Sequence, residues 1–395
     1  MKIALLNVKF SPNLGDGLLS ECLEAELASA MPGTQVFSID LAGRRAYPEF
    51  GPSRRAHAIS MLEAMPGWMR RLVTRAALSA LIMLRLRSHF RQRLAGCSAA
   101  VVGGGNLLTD SDLNFPMKLA SALAEARRRD LPMAVYGVGA NRNWSKAGRN
   151  LFGEALGQAR LRFASVRDRR SQRAWDELLA PQGVPPARLA GDPGLLTCRH
   201  FAPNAPAAEG PLAGLCITAP MALRYHADHG HAQADLDDWY GAAAASLAAM
   251  GLRVALFTNG SPEDRDYLAR MGPGWIRRAQ GPVTMTNAFA DPTALAGFIG
   301  SCDLIIAHRM HACIAAHSFG IPTIGLRWDS KLDSFFALAG RDAFIADTAA
   351  LDQAELAALA DRAMDEGVDQ VSLDHLIAAT RADVATMARD LLAAG

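Results

Sequence analysis

Short, unbroken apolar runs alternate along this chain with helix-length segments that carry one apolar and one polar face. Apolar runs of about four to eight residues, bounded by turn signals, read as strands buried on both faces, as in parallel sheets. In the first half they predict strands at Ile3–Asn7, Gln35–Asp40, Ala99–Val102, Pro132–Gly137, Phe163–Val166 and Arg188–Gly191. Between Pro181 and Pro211 prolines recur and the periodicity lapses, as expected of a crossover between domains. The alternation then restarts, with predicted strands at Gly214–Thr218, Arg253–Thr258, Asp303–Ala307 and Ile321–Leu326 and a helix near Asp237–Met250. Helical periodicity returns over Asp352–Met364 and Leu373–Ala394. The expected class is α/β, with a parallel-sheet domain over 1–200, a second over 210–370, and a final helix over 371–395 packing back on the first.

Several predicted strands run into polar or glycine-rich turns: Asn13-Leu14-Gly15-Asp16, Gly103-Gly104-Gly105-Asn106, Gly137-Val138-Gly139-Ala140-Asn141 and Ser165-Val166-Arg167-Asp168. Such turns bring backbone N–H groups and a helix N-terminus toward an anion or a sugar, although each also serves as a plain strand-to-helix turn. None is a G-x-G-x-x-G fingerprint or a Walker A loop. The densest chemistry lies between Ser301 and Phe335. There a buried strand gives way to a turn with His308, Arg309 and His311, then a short helix ended by Gly320. A second strand leads to Trp328-Asp329-Ser330-Lys331. Open parallel sheets bind ligands just past the carboxyl ends of their strands, and both of these ends carry cations. Arginine takes carboxylate or phosphate bidentately, lysine adds a point charge, and an imidazole beside them has its charged form disfavoured.

Charge and cysteine content narrow the partners. The net charge is +2 over 395 residues, so no nucleic-acid footprint is expected. The opening MKIALLNVKF is broken by Asn7 and Lys9 and reads as a strand rather than a secretion signal. Six scattered cysteines with no C-x-x-C pair suit buried thiols in a reducing cytoplasm. His308, His311 and His317, and the loop His226-Ala227-Asp228-His229-Gly230-His231, match no standard zinc spacing, and no metal is expected. Trp68–Leu94 stands apart, with seven arginines flanking the uncharged run Ala76–Leu84. It is too short to span a bilayer; it reads either as a basic amphipathic helix on an anionic membrane or as a helix packing one face on the sheet.

In order, Asn13-Leu14-Gly15-Asp16, Val102-Gly103-Gly104-Gly105-Asn106-Leu107, Tyr136-Gly137-Val138-Gly139, Ser165-Val166-Arg167-Asp168 with Ser171, Gly191-Asp192-Pro193, Arg309-Met310-His311, Gly320-Ile321-Pro322 and Trp328-Asp329-Ser330-Lys331 resemble the polysaccharide pyruvyl transferase family. The likeness spans nearly the whole chain. It implies a GT-B-like fold of two Rossmann-type domains facing a cleft. It also implies transfer of a pyruvyl group from phosphoenolpyruvate to sugar hydroxyls, making a ketal on a cell-surface polysaccharide or its lipid-linked precursor. By that resemblance Arg309 binds the donor and His311 is the general acid. Arg224, Lys331 and His308 fall on the donor side, and Asn13, Asp16, Gly104, Asn106, Arg167 and Asp168 on the acceptor side across the cleft. No cofactor beyond the donor is implied, and the expected location is cytoplasmic, at the inner face of the membrane. Met310 stands where the family usually has Leu, and Trp328 where it usually has Tyr. Two rival readings stay open: a nucleotide-sugar glycosyltransferase on the same scaffold, and a non-catalytic membrane partner in polysaccharide assembly.

Overall fold

The computed structural model describes residues 1–48, 66–205, 210–221, 223, 236–328 and 330–393, with the backbone alone at 67, 68 and 71. The chain divides into two compact units, each built on one six-stranded parallel sheet.

The first unit comprises Met1–Ser11, Leu19–Pro193 and Ala378–Gly395. Its strands are β1 (Lys2–Asn7), β2 (Gln35–Asp40), β3 (Ala99–Gly103), β4 (Met133–Val138), β5 (Leu161–Val166) and β6 (Arg188–Leu189), in the order β2-β1-β3-β4-β5-β6. Every residue of β3 and β4 is buried, which is why their sequences are continuously apolar rather than alternating. Successive side chains of a strand point to opposite faces, so β1 feeds two cores. Ile3 and Leu5 pack with Leu23, Leu27, Val384, Met387 and Leu391, whereas Ala4 and Leu6 pack with Leu78, Ile82, Leu86 and Phe90. The chain's last helix, Gln370–Leu392, thus completes the first core. Polar contacts pin it there: Tyr136 Oη donates to Thr380 O (3.2 Å), Gly191 N to Asp383 Oδ2 (3.0 Å), and Arg381 Nε to Glu26 Oε1 (3.0 Å).

On the other face, the helix Gly67–Leu81 passes through a π turn, Ile82–Leu86, into the helix Arg87–Arg93. Leu78, Ile82, Leu86, Phe90 and Leu94 are buried, each four residues after the last. A straight α-helix would swing such a series about 40° further round at every step. The wider π turn takes up the excess and holds the series on the core.

The second unit comprises Pro12–Leu18 and Gly194–Ile377. Its strands are β7 (Leu212–Cys216), β8 (Arg253–Phe257), β9 (Val283–Met285), β10 (Leu304–Ala307), β11 (Thr323–Leu326) and β12 (Ile345–Ala346), in the order β12-β11-β10-β7-β8-β9. Read from β9, this is the Rossmann order, and the direction of winding reverses between β7 and β10. The two strands run side by side, with Ile306 opposite Leu215 and Ala307 opposite Cys216. Sequence periodicity predicts neither β9 nor β12: with three and two residues at the sheet edges, they are too short to carry a period.

Candidate functional site

The crevice outside the carboxyl ends of β7 and β10 is where a sheet of this order takes a ligand. Chain leaving β10 supplies His308 and Arg309, and the helix Met310–Ser318 starts at the next residue. His311 therefore sits in the first turn of that helix rather than in the turn before it. Chain leaving β7 supplies Thr218, whose buried hydroxyl has no hydrogen-bond partner among the described residues.

Arg309 is held by Asp264, a fully buried carboxylate in the first turn of the helix Pro262–Ala279. Arg309 donates to Asp264 Oδ2 from Nε (3.0 Å) and from Nη2, while Asp264 Oδ1 accepts from Ala219 N at 2.8 Å. Burial works against the charge of Arg309, but Asp264 beside it prevails and raises the guanidinium pKa, so the side chain stays cationic. The guanidinium also lies 5.9 Å from the centroid of the Trp328 ring, within reach of a cation–π contact. Asp303 and Asp329 are the partners that proximity in sequence suggests. The partner found, Asp264, comes from a different strand–helix connection 45 residues away.

His308 is buried, with Nδ1 3.0 Å from Tyr240 Oη, which in turn accepts from Thr218 N at 3.1 Å. Burial pushes the Tyr240 phenol well above its ordinary range, so it stays neutral and acts as a hydrogen-bonding strut. Tyr240 packs among Trp239, Tyr267 and Trp275, which fixes the ring.

His311 Nδ1 is 3.6 Å from Asp16 Oδ1, and both side chains are largely covered, at 12% and 20% exposure. Asp16 is expected on the acceptor side, yet Pro12–Leu18 groups with the second unit and brings this carboxylate to the imidazole. Leu14 N donates to Asn259 O at 2.7 Å, docking the segment beside the end of β8. Gly15 allows the approach: a Cβ there would lie 2.8 Å from His311 Cβ and 3.0 Å from Nδ1. Asn13 folds over the same turn, its Oδ1 accepting from Gly15 N at 3.3 Å.

The other acceptor-side candidates gather in the first unit. Arg167 is buried between Asp192 (Nη1–Oδ2, 3.3 Å) and Asp168 (Nε–Oδ2, 3.5 Å). Asp168 caps the helix Arg169–Leu178 by accepting from Ser171 N at 2.7 Å. A Cβ at Gly139 would lie 2.7 Å from Asn106 Oδ1 and 2.8 Å from Arg167 Nη2, so a glycine is needed for those side chains to close over the backbone. Gly104 follows directly on β3. Asn106, Arg167 and Asp168 therefore meet, whereas Asn13 and Asp16 lie with His311 in the other unit.

Lys331 lies in the first turn of the helix Ser330–Leu338, after β11. Arg224, Asp329 and the histidine loop 226–231 lie outside the described residues. His317 is buried in the helix Met310–Ser318, and neither ring nitrogen has a hydrogen-bond partner among the described residues. Among the described residues no three His, Cys, Asp or Glu side chains converge as metal ligands. Burial pushes the Cys302 and Cys313 thiols up to about 12, which makes them poor nucleophiles at neutral pH.

The sequence order of the turns, now seen as strand ends of two parallel sheets, agrees with a family-level match: the description "Polysaccharide pyruvyl transferase" fits residues 13–330. The chain belongs to the polysaccharide pyruvyl transferase family. Membership makes it a transferase of polysaccharide biosynthesis. No curated protein matches the chain in sequence. Among solved structures, it is similar to a putative UDP-N-acetylglucosamine 2-epimerase from Listeria monocytogenes, at 11% identity and TM-score 0.56, covering 98% of this chain and 94% of that one. It is also similar to UDP-GlcNAc 2-epimerase from Neisseria meningitidis bound to UDP-GlcNAc, at 10% identity and TM-score 0.54, covering 99% and 100%. The same enzyme from Methanocaldococcus jannaschii aligns at 8% identity and TM-score 0.54, covering 91% and 92%. At such identities the likeness is one of fold, and the fold is the GT-B kind with two parallel-sheet α/β domains.

Proposed function

We propose that this pyruvyl transferase family member moves a pyruvyl group from phosphoenolpyruvate to two hydroxyls of a saccharide, forming a cyclic ketal and releasing phosphate. The observation that carries the reading is the convergence, at the switch point of the second sheet, of a permanent cation and an imidazole backed by a carboxylate: Arg309 and His311 with Asp16. The donor carries a carboxylate and a phosphate, and charge-assisted hydrogen bonds to such groups contribute roughly 1.5–3 kcal/mol each. Arg309 would offer Nη1, since Nε and Nη2 are engaged by Asp264. Lys331 and Arg224 would complete the clamp, and the Thr218 hydroxyl at the end of β7 would donate to one of the donor's oxygens.

His311, as imidazolium stabilised by Asp16, would deliver a proton to the methylene carbon of the donor. A saccharide hydroxyl adds to the neighbouring carbon and returns its proton to the imidazole. A second hydroxyl then adds to the same carbon as phosphate leaves, its proton departing with the phosphate as hydrogen phosphate, so the ketal ring closes with no net consumption of protons by the enzyme. A positioned acid–base group contributes on the order of 10²–10⁴ in rate. His311→Ala should therefore abolish phosphate release from phosphoenolpyruvate with a candidate saccharide while the circular dichroism spectrum stays unchanged. Turnover retained in that variant sinks the assignment. Mass spectrometry of the saccharide product should show the pyruvyl adduct.

The second reading is a nucleotide-sugar glycosyltransferase, favoured by the fold shared with enzymes named for UDP-GlcNAc. A ligand stabilises only the protein that binds it. Thermal shifts with phosphoenolpyruvate but not with UDP- or GDP-sugars decide for pyruvyl transfer, and the reverse pattern decides against it.

A further inference from the structure

The rod formed by Gly67–Leu81, the π turn Ile82–Leu86 and Arg87–Arg93 is about 40 Å long at the α-helical rise. One side is buried in the first unit's core through Leu78, Ile82, Leu86, Phe90 and Leu94. The opposite side is apolar as well. Leu72, Met83 and Leu84 are 63%, 65% and 83% exposed, and Val73, Ala76, Ala77 and Ala80 are exposed between them. Val73, Ala76, Ala77 and Ala80 repeat at i, i+3, i+4 and i+7, so they form a stripe that runs on to Met83 and Leu84 in the π turn. Exposed Arg75, Arg85, Arg87 and Arg91 edge the stripe, and residues 67–94 contain no acidic side chain. Single exposed apolar residues are ordinary, but a continuous stripe edged by one sign of charge marks a surface that binds something.

We propose that this face docks on an anionic lipid bilayer, with Leu72, Met83 and Leu84 at the acyl boundary and the arginines among headgroup phosphates. Charge complementarity decides the occupant. Arg91 already meets Glu125 of the neighbouring helix at 4.0 Å. The exposed guanidiniums of Arg75, Arg85 and Arg87 find no carboxylate on the rod and call for a surface of dense negative charge, and the protruding apolar side chains call for a medium that yields to them. No helix among the described residues is long and apolar enough to cross a membrane, so the rod lies along the surface. The proposal stands apart from the donor chemistry, because none of these residues belongs to the candidate site.

Co-sedimentation of the full-length protein with vesicles tests it. The protein should pellet with phosphatidylglycerol-containing vesicles at low salt, release at high salt, and bind pure phosphatidylcholine weakly. Arg75→Gln with Arg87→Gln should weaken binding about 25-fold, roughly fivefold per arginine. Met83→Ser with Leu84→Asp should weaken it at least tenfold, with circular dichroism unchanged in both double variants. Absence of binding to anionic vesicles at low salt overturns the proposal, as does equal binding by the variants. A dimer that Leu84→Asp dissociates, without vesicle binding, assigns the face to a second copy of the chain and overturns it too.

Discussion

Arg309 enters the candidate site with its charge already answered by Asp264. Removing that answer leaves a mostly buried cation uncompensated, which is costly even when the shape of the site is preserved. Asp264→Asn should lower unfolding stability by about 3 kcal/mol in urea titrations. The variant should also weaken donor binding, since the guanidinium loses the contact that orients it. His317 responds to pH by a different route. Burial first, and Arg341 second, push its pKa down from 6.5 to about 4. As pH falls below 6.5 the unfolded chain takes up a proton that the folded chain refuses, so stability is full above that pH and drains away toward 4. The loss at pH 5 is about 2 kcal/mol. His317→Leu should abolish it, and denaturant titrations at pH 7 and pH 5 should show the variant gaining on the wild type only at the lower pH. Arg309 and His311 are legible in the sequence because they lie two positions apart at a strand end. Asp264 and Tyr240 are not, because their contacts to Arg309 and His308 span 45 and 68 residues. Only the acidic start of the helix after β8 hints at Asp264.

At the scale of the element, the segment Pro12–Leu18 and the helix Met310–Ser318 meet through a glycine. Gly15→Ala puts a methyl group 2.8 Å from His311 Cβ, so the helix start or the segment must shift. A misplacement near 1 Å costs on the order of 100-fold in rate. Phosphate release by Gly15→Ala should fall by that order while the melting temperature changes little; unchanged turnover would mean that the contact with Asp16 does not position His311. The strands were readable wherever a whole buried run was present, as in Ala99–Gly103 and Met133–Val138. The rod's π turn also had a trace in the sequence: apolar residues at 78, 82, 86, 90 and 94 are spaced too widely for one face of an ordinary α-helix. The exposed stripe could not be told from the buried one by pattern, since both are apolar at helical spacing and only packing separates them.

Across the whole molecule, alternating strand and helix segments correctly indicate two parallel-sheet domains, and the order of strands within each sheet emerges only from long-range pairing. The last helix belongs to the first core, where Met387 is fully buried. Met387→Ala should cost about 2–5 kcal/mol in unfolding free energy. A stability loss under 1 kcal/mol would show that the terminal helix is not integral to that core. The termini also govern how the molecule can be divided. Scission after Pro193 would carry Pro12–Leu18 away from Asn259 and His311, and would strand Val384, Met387 and Leu391 with the wrong fragment. Neither contiguous half is thus a free-standing recombinant product. A faithful half-molecule requires the distal segment 378–395 to be spliced behind residue 193, so the gene cannot be cut where the protein divides.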